Sequence, residues 1–178
     1  RPFKVGDFVS VGGVVGTVMT NLAMELALKE RNIEFVRAKV GDRYVLEQLY
    51  QRGWQVGGEA SGHILCMDKH NTGDGIISAL QVFAALGELG VDLHSVLSDW
   101  QAYPQTMINV RINKGHPWQA AAEPVLQQVE QELGQQGRVV LRASGTEPVV
   151  RVMVEAKDAT VAKTSAERIA AAIEASIH

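Results

Sequence analysis

The sequence Arg142-Ala143-Ser144-Gly145-Thr146-Glu147-Pro148 forms a polar loop between two apolar runs that are typical of strands. A guanidinium offers a planar fork of donors that suits a phosphate, and the Ser and Thr hydroxyls add further donors. Because glycine has no Cβ, backbone N–H groups near it can approach an anion closely. The loop therefore predicts a phosphate site, and a polar turn rich in turn-forming residues is the plainer alternative.

The segments around this loop predict a compact α+β unit over residues 105–178. Pro117 and Asp158 occupy positions that favour the start of a helix. The predicted order is strand, helix, strand, strand and helix, at Thr106 to Ile112, Pro117 to Leu133, Arg138 to Leu141, Val149 to Val154 and Asp158 to Ile177. The polar loop then connects two consecutive strands of this unit.

Residues 12–100 predict a separate α/β unit, because apolar runs alternate with amphipathic segments. The predicted strands are Val14 to Met19, Ile33 to Lys39, Trp54 to Gly57 and Ile64 to Met67. The predicted helices are Leu22 to Arg31, Tyr44 to Arg52 and Asp74 to Leu89, the last with an apolar face of Ile77, Leu80, Val82, Phe83 and Leu86. A linker follows at Asp99 to Pro104, because Tyr103 precedes a proline and the helical conformation is disfavoured for a residue in that position.

Two further polar loops follow predicted strands of this first unit. One is Gly41-Asp42-Arg43, and the other is Gly58-Glu59-Ala60-Ser61-Gly62-His63. A carboxylate accepts hydrogen bonds from sugar hydroxyls, and a histidine can hold a phosphate or move a proton near neutral pH. Because ligands of open α/β sheets bind at strand ends, both loops are candidate ligand contacts. A glycine-flanked turn with a strand-end histidine is the alternative for the second loop.

Composition argues against several functional classes. The 178 residues carry 17 basic and 20 acidic side chains, and the net charge of −3 disfavours a general nucleic-acid or membrane-surface binder. No apolar run is long enough for a membrane-spanning helix, and no signal peptide is visible. The single cysteine, Cys66, excludes an internal disulfide and fits a cytoplasmic protein. The histidines show no metal-site spacing, so we expect no metal site in this chain.

The heptapeptide at 142–148 resembles the phosphate-binding loop in the last domain of the α-D-phosphohexomutases. Residues 58–63 match that family's sugar-binding loop, Gly-Glu-x-Ser-Gly-His, at every fixed position. Residues 40–44 are similar to a second substrate loop, in the Gly-Asp-Arg form of the family's glucosamine branch. The resemblance extends from about Gly12 to the C-terminus. It implies a mixed-sheet α/β third domain at 12–100, then a smaller α+β, TATA-box-binding-protein-like C-terminal domain at 105–178.

The resemblance implies roles for the loops of the first unit. Glu59 and Ser61 would bind hydroxyl groups of the sugar ring. His63 would lie near the transferring phosphoryl group and would act as the catalytic proton carrier. Asp42 and Arg43 would contact the substrate at the rim of the site.

In the second unit, the resemblance implies a cradle for the phosphate that does not transfer. Its members would be Arg142, Ser144, Gly145 and Thr146. Such a cradle would let the substrate bind in two orientations, as a mutase with a bisphosphate intermediate requires. Arg151 has two interpretations, support of the loop or an ion pair on the strand face, and the second is the plainer one.

Two parts of the family's machinery do not occur in this sequence. The four-domain enzymes use a phosphoserine in the first domain and an Asp-x-Asp-x-Asp-Arg loop in the second that holds Mg²⁺, and neither motif is found here. Phosphoryl transfer depends on positioning and on charge neutralisation by the metal, so we expect no turnover by this chain alone. Mg²⁺ is expected only for the full-length enzyme, through a domain absent here.

The resemblance therefore implies the substrate-recognition half of an enzyme for hexosamine phosphates. The full enzyme would interconvert glucosamine 6-phosphate and glucosamine 1-phosphate for cell-envelope precursor synthesis. Glucose and mannose stay open as alternative sugars, and the oligomeric state also stays open. A non-catalytic phosphosugar-binding or regulatory module is the main alternative function.

Residues 1–11 do not fit the family pattern and are interpreted as a divergent or fused leader. Together with the residues up to Val18, they resemble a piece of the soluble β-domain of small-conductance mechanosensitive channels, although no pore helix follows. A structural or interaction piece related to that domain is therefore a third hypothesis. A lack of phosphosugar binding would favour it.

Overall fold

The computed structural model describes residues 12–98, 100–113, 115–145 and 147–177, so the predicted leader lies outside the described residues. The chain forms two compact units, residues 1–102 and 103–178. The first is built on a mixed four-stranded sheet and the second on an antiparallel three-stranded sheet. The predicted fold class, a mixed-sheet α/β unit followed by a smaller α+β unit, is confirmed.

The first unit consists of β1 (Gly13–Thr17), α1 (Leu22–Glu30), β2 (Glu34–Ala38), α2 (Asp42–Arg52), β3 (Val56–Gly58), β4 (Ile64–Cys66), α3 (Gly75–Leu89) and α4 (Leu93–Leu97). The strand order is β2-β1-β3-β4. Strand β1 pairs in parallel with both of its neighbours, and β4 is antiparallel to β3. Parallel pairs need crossover connections, which α1 and α2 supply. The β3–β4 hairpin carries the predicted sugar loop between its strands.

Helix α2 packs closely against this sheet. Its residues Val45 and Leu49 are buried in a cluster with Val15 of β1. Gly57 of β3 permits the close approach, because a Cβ there would lie 2.7 Å from Val45 Cγ1. Gly53 ends the helix with a φ of 66°, a left-handed conformation that glycine adopts without strain. The packing fixes the start of α2 relative to the end of the sheet.

Helix α3 exposes much of its apolar surface. Of the face predicted to be apolar, Ile77 and Leu86 are half-buried. The other three residues are exposed, Leu80 at 58%, Val82 at 38% and Phe83 at 69%. A helix that is apolar on nearly all sides is normally covered by other elements. The outer side of α3 is therefore an exposed apolar patch.

The second unit consists of β5 (Gln105–Arg111), α5 (Trp118–Leu133), β6 (Gly137–Ala143), β7 (Val149–Ala156) and α6 (Ala159–Ala175). The strand order is β5-β7-β6, and both pairs are antiparallel. Val152 and Val154 of β7 are buried in one cluster with Ile169 and Ile173 of α6. Because side chains alternate along a strand, Arg151 lies on the face of the sheet opposite to this cluster.

Two boundaries near the candidate loops differ from the sequence-based expectation. Strand β6 extends into the predicted loop, because Arg142 pairs with Arg151 in the antiparallel register. Helix α2 begins at Asp42, so the predicted turn there is already helical. Helix α5 continues through Pro124, as the predicted range of Pro117 to Leu133 requires, although a proline removes an interior hydrogen bond; the buried Val129 holds the part beyond it. Pairing and packing override the local preferences at these positions.

Candidate functional site

The loop between β3 and β4 closes tightly and places Glu59 beside the start of α2. The Glu59 N–H donates to the His63 carbonyl at 2.9 Å, and the Gly62 N–H donates to the Glu59 carbonyl at 3.1 Å. Gly62 has a φ of 94°, which favours glycine. The Glu59 carboxylate accepts a hydrogen bond through Oε1 from the Gly41 N–H at 2.7 Å. This hydrogen bond joins the two candidate loops of the first unit.

Ser61 and His63 are neighbours on the exposed side of the same loop. The Ser61 Oγ lies 3.2 Å from the His63 Nδ1. Gly73, from the stretch before α3, packs against the imidazole, since a Cβ there would lie 2.7 Å from His63 Cδ2. A hydroxyl at one ring nitrogen orients the imidazole and can leave the other nitrogen for proton transfer.

The start of α2 and the stretch before α3 line a cavity of about 270 Å³. Asp42, Arg43 and Thr72 are among its lining residues. The Asp42 Oδ1 accepts a hydrogen bond from the Arg43 N–H at 2.7 Å. The first turn of a helix has backbone N–H groups without intrahelical partners, so this edge of the cavity favours an acceptor group.

Asp74 follows this cavity and stabilises α3 as its N-cap. Its Oδ1 accepts hydrogen bonds from the N–H groups of Ile77 at 3.0 Å and Ile76 at 2.8 Å. These two backbone hydrogen bonds, that of Ile77 first, lower the pKa of the Asp74 carboxyl. Asp74 therefore belongs to the frame of the site.

The loop between β6 and β7 is held by its own hydrogen bonds. The Ser144 N–H donates to the Val149 carbonyl at 2.9 Å, and the Val149 N–H donates to the Glu147 carbonyl at 2.8 Å. The Ser144 Oγ accepts a hydrogen bond from the Glu147 N–H at 3.3 Å. The loop borders a cavity of about 580 Å³, lined by Ser144, Gly145, Glu147 and, from the segment after β5, Gly115 among others. The cavity has room for a phosphate group.

Two arginines are paired at the base of this loop. Arg142 of β6 lies directly opposite Arg151 of β7, and both are half-buried. Like charges in such a cross-strand pair are destabilising. The Arg151 Nε is buried without a hydrogen-bond partner, and its Nη2 lies 3.4 Å from the Glu147 Oε2. A bound phosphate would offset the repulsion and offer an acceptor to unsatisfied donors.

The structure groups the predicted site residues by unit. It brings the 58–63 loop to the start of α2 in the first unit, and Arg142, Ser144 and Gly145 to one loop in the second. Thr146 lies outside the described residues. Arg151 is the residue whose place sequence reasoning left open. The sequence does carry a signal for its position. If the two strands that flank the short loop are paired antiparallel, Arg151 lies opposite Arg142.

Two kinds of feature are absent from the described residues. No group of three or more His, Cys, Asp or Glu side chains among them could hold a metal ion. None of the helices in this part of the chain combines the length and the apolar character that crossing a membrane requires.

Each of the two units matches a domain of the same protein family. Residues 6–103 match the phosphoglucomutase/phosphomannomutase alpha/beta/alpha domain III, and residues 107–172 match the C-terminal domain of the same family. The first match begins inside the stretch interpreted as a leader.

The sequence is also similar to individual curated proteins. It is 74% identical to the phosphoglucosamine mutase of Neisseria subflava over 170 residues. These aligned residues make up 96% of this chain and 38% of that protein. It is 66% identical to the phosphoglucosamine mutase of Chromobacterium violaceum over 163 residues, and this alignment covers 92% of this chain and 36% of that protein. The chain thus spans less than half the length of the relatives it matches.

Solved structures support the fold. A structure of Aspergillus fumigatus N-acetylphosphoglucosamine mutase matches with a TM-score of 0.80 at 20% identity, over 97% of this chain and 41% of that one. The same enzyme in complex with GlcNAc-6P and magnesium matches with a TM-score of 0.72 at 21% identity, over 96% of this chain and 44% of that one. A phosphoglucomutase/phosphomannomutase family protein from Burkholderia thailandensis matches with a TM-score of 0.71 at 18% identity, over 97% of this chain and 39% of that one.

Proposed function

The chain belongs to the phosphoglucomutase/phosphomannomutase family, and from this premise we propose that it is the substrate-recognition half of a phosphoglucosamine mutase. The proposed reaction of the whole enzyme interconverts glucosamine 6-phosphate and glucosamine 1-phosphate through a bisphosphate intermediate, in the cytoplasm. We assign residues 12–100 to the sugar-binding domain and residues 105–178 to the phosphate-binding domain. The 74% identity to relatives of that name supports this choice of reaction.

The arginine pair at the base of the β6–β7 loop carries the proposal. The guanidinium of Arg142 offers a fork of donors to the non-transferring phosphate, and Arg151 offers a second one beside it. Ser144 and Thr146 add hydroxyl donors, and Gly145 allows close approach of the backbone. Because these donors bind a phosphate whichever carbon carries it, the cradle accepts the C1 or the C6 phosphate, and the sugar can bind in two orientations.

The loops of the first unit read the sugar. The Oε1 of Glu59 is engaged by the Gly41 N–H, so its second oxygen can accept a hydrogen bond from a ring hydroxyl. Ser61 adds a hydroxyl that can donate or accept. Asp42 and Arg43 contact the substrate at the edge of the neighbouring cavity.

His63 carries the proton in this proposal. Its imidazole is exposed, and the Ser61 hydroxyl lies at Nδ1. An imidazole near the sugar oxygen can accept its proton as that oxygen attacks the phosphoryl group, and can return the proton in the reverse step. His63 is thus the catalytic residue that this chain contributes.

The described residues of this chain offer no cluster of carboxylates and imidazoles that could hold a magnesium ion. A related enzyme from Aspergillus fumigatus is in complex with GlcNAc-6P and magnesium. We assign the metal and the phosphoryl donor to other domains of the full-length enzyme. This chain alone is expected to bind the substrate without isomerising it.

An amide-shift titration of the 178-residue chain tests this function. Glucosamine 6-phosphate is compared with glucose 6-phosphate and with inorganic phosphate. We expect the two sugar phosphates to shift amides at residues 58–63 and at 142–147, and inorganic phosphate to shift only the second loop. Shifts confined to the second loop and equal for all three ligands would indicate a phosphate cradle without sugar recognition. No shift at either loop would refute the proposal.

Matched variants sharpen this titration. Arg142→Lys keeps the charge and removes the fork, so binding of all three ligands should weaken, by about tenfold for a lost bidentate contact. Arg168→Lys, on the exposed side of α6 where it pairs with Glu132, is the control and should leave all three affinities unchanged. Equal affinities for the two variants would contradict the assignment of Arg142.

A further inference from the structure

Glu147 places a negative charge in the proposed phosphate cradle. It borders the same cavity as Ser144 and Gly145, and its own N–H is bonded to the Ser144 Oγ. A carboxylate in this position repels a bound phosphate. In a loop proposed to bind an anion, a carboxylate needs a compensating role.

The ion pair with Arg151 does not fully provide that role. The Glu147 Oε2 lies 3.4 Å from the Arg151 Nη2, longer than the roughly 2.7–2.9 Å of a good charge-assisted hydrogen bond. The Glu147 side chain is 63% exposed, and exposed pairs of this kind contribute little. The carboxylate is therefore accessible to a ligand that occupies the cavity.

A carboxylate beside a bound phosphate favours a ligand that also carries a cation. The two proposed substrates are such ligands, since each carries an amine that is protonated at mildly acidic pH and a phosphate. In glucosamine 1-phosphate the two groups are on adjacent ring carbons, whereas in glucosamine 6-phosphate they lie on opposite sides of the ring. Only the 1-phosphate can present both groups to one loop.

We propose that Glu147 is a specificity-determining residue that binds the ammonium group of glucosamine 1-phosphate while the β6–β7 loop holds its phosphate. This inference rests on the proposed function and names the residue that selects the amino sugar in one of the two orientations. In the other orientation the amine lies away from the loop. Glu147 then contributes no attraction, and its charge slightly weakens phosphate binding.

Isothermal titration of the chain and of its Glu147→Gln variant tests the inference, at low salt and mildly acidic pH. Three ligands are compared: glucosamine 1-phosphate, glucose 1-phosphate and glucosamine 6-phosphate. The variant should bind glucosamine 1-phosphate about fivefold more weakly, as expected for a partly exposed ion pair. It should bind the other two ligands equally well or somewhat more tightly, because a repulsive charge is gone.

Glu167→Gln is the matched control, since Glu167 is an exposed α6 residue whose carboxylate lies 3.9 Å from the Lys163 Nζ. It should leave all three affinities unchanged. If Glu147→Gln changes all three affinities by the same factor, Glu147 acts only on Arg151 or on the shape of the loop, and the inference is overturned. If the unaltered chain binds none of the three ligands, the proposed function fails, and the inference fails with it.

Discussion

The two units differ in how completely their sheets are covered. In the second unit a cluster of 13 buried apolar residues lies between the sheet and α5 and α6. Among the described residues of the first unit, the comparable cluster contains six. Burial of apolar surface is the main favourable contribution to folding. We infer that the second unit holds most of the stability, while the first leaves α3 partly uncovered.

The loops proposed to bind the substrate differ in the same way. The proposed phosphate cradle joins two paired strands of seven and eight residues, β6 and β7. The sugar loop joins β3 and β4, which have three residues each. Sites on rigid elements keep their geometry better than sites on short or mobile ones. We therefore expect phosphate recognition to persist under conditions that weaken sugar recognition.

The largest expected effect concerns ion pairs, because each unit contains one and the two pairs differ in burial. In the second unit Glu155 is fully buried and pairs with Arg138, and in the first Glu25 is 38% exposed and pairs with Arg37 at 2.7 Å. Glu155→Gln leaves a mostly buried guanidinium undercompensated, so it should lower the free energy of unfolding by about 3 kcal/mol. Urea denaturation of the variant measures this loss.

Glu25→Gln is the matched substitution in the first unit. Because this pair is partly solvated, the change should cost less than about 1 kcal/mol. Amide hydrogen exchange in β7 and in β2 reports the two units separately. Equal losses from the two substitutions would contradict the difference in burial.

Removal of the same apolar atoms from each unit should have an effect of similar size. Ile169 of α6 is fully buried, whereas Ile76 of α3 is 75% exposed. Ile169→Ala should cost about 2–5 kcal/mol, because it removes buried methylene groups and leaves a cavity. Ile76→Ala should change stability by less than about 0.5 kcal/mol. A large loss from Ile76→Ala in urea denaturation would mean that α3 is covered in solution.

The exposed face of α3 should promote self-association. Leu80 and Phe83 are one turn apart on the outer side of the helix. A Leu80→Lys, Phe83→Lys double variant should sediment as a smaller species than the unaltered chain at high protein concentration, and should bind less of a dye that reports apolar surface. Identical sedimentation of the two proteins would locate any association elsewhere.

The smallest effects concern the two aspartate caps. Asp158 caps α6 and accepts hydrogen bonds from the N–H groups of Val161 and Thr160, which lower the pKa of its carboxyl in that order of importance. A lowered folded-state pKa gives stability that is fully present above the ordinary value of 3.8. This stability is lost as the pH falls through the lowered pKa.

Asp158→Asn keeps an acceptor at the cap but does not titrate. It should slightly lower stability at neutral pH and should reduce the further loss of stability on acidification below 3.8. Asp74→Asn makes the matched change at α3, where the pKa is also lowered. Because α3 is less well packed, this variant should affect only the hydrogen exchange of α3. A shift of the global acid midpoint by Asp74→Asn would contradict the comparison.

Local sequence rules predicted every element of the two units except α4. The periodicity of apolar residues and the helix-start residues Pro117 and Asp158 give signals within a few residues, which is the range of helix and turn preferences. The resemblance to the phosphohexomutases was also visible in three short motifs, and the family matches confirm it.

Other features depend on residues that are distant in sequence. The predicted helix range already included Pro124, and packing against the sheet is what lets α5 continue there against the local preference of proline. The exposure of the apolar face of α3 also depends on distant residues. Periodicity identifies an apolar face, but it does not show which other element covers that face. The pairing of Arg151 with Arg142 follows from strand register, which short-range patterns specify only weakly.

The sequence by itself determined the order of the elements, the three polar loops and the family, because these depend on residue identity and short spacing. Only the tertiary structure decided that the Glu59 carboxylate accepts a hydrogen bond from Gly41, that two arginines lie opposite each other at the base of the β6–β7 loop, and that α3 is partly uncovered. Each of these outcomes depends on which distant segments form hydrogen bonds with one another and which of them cover the same apolar surface. The packing of each whole unit determines both.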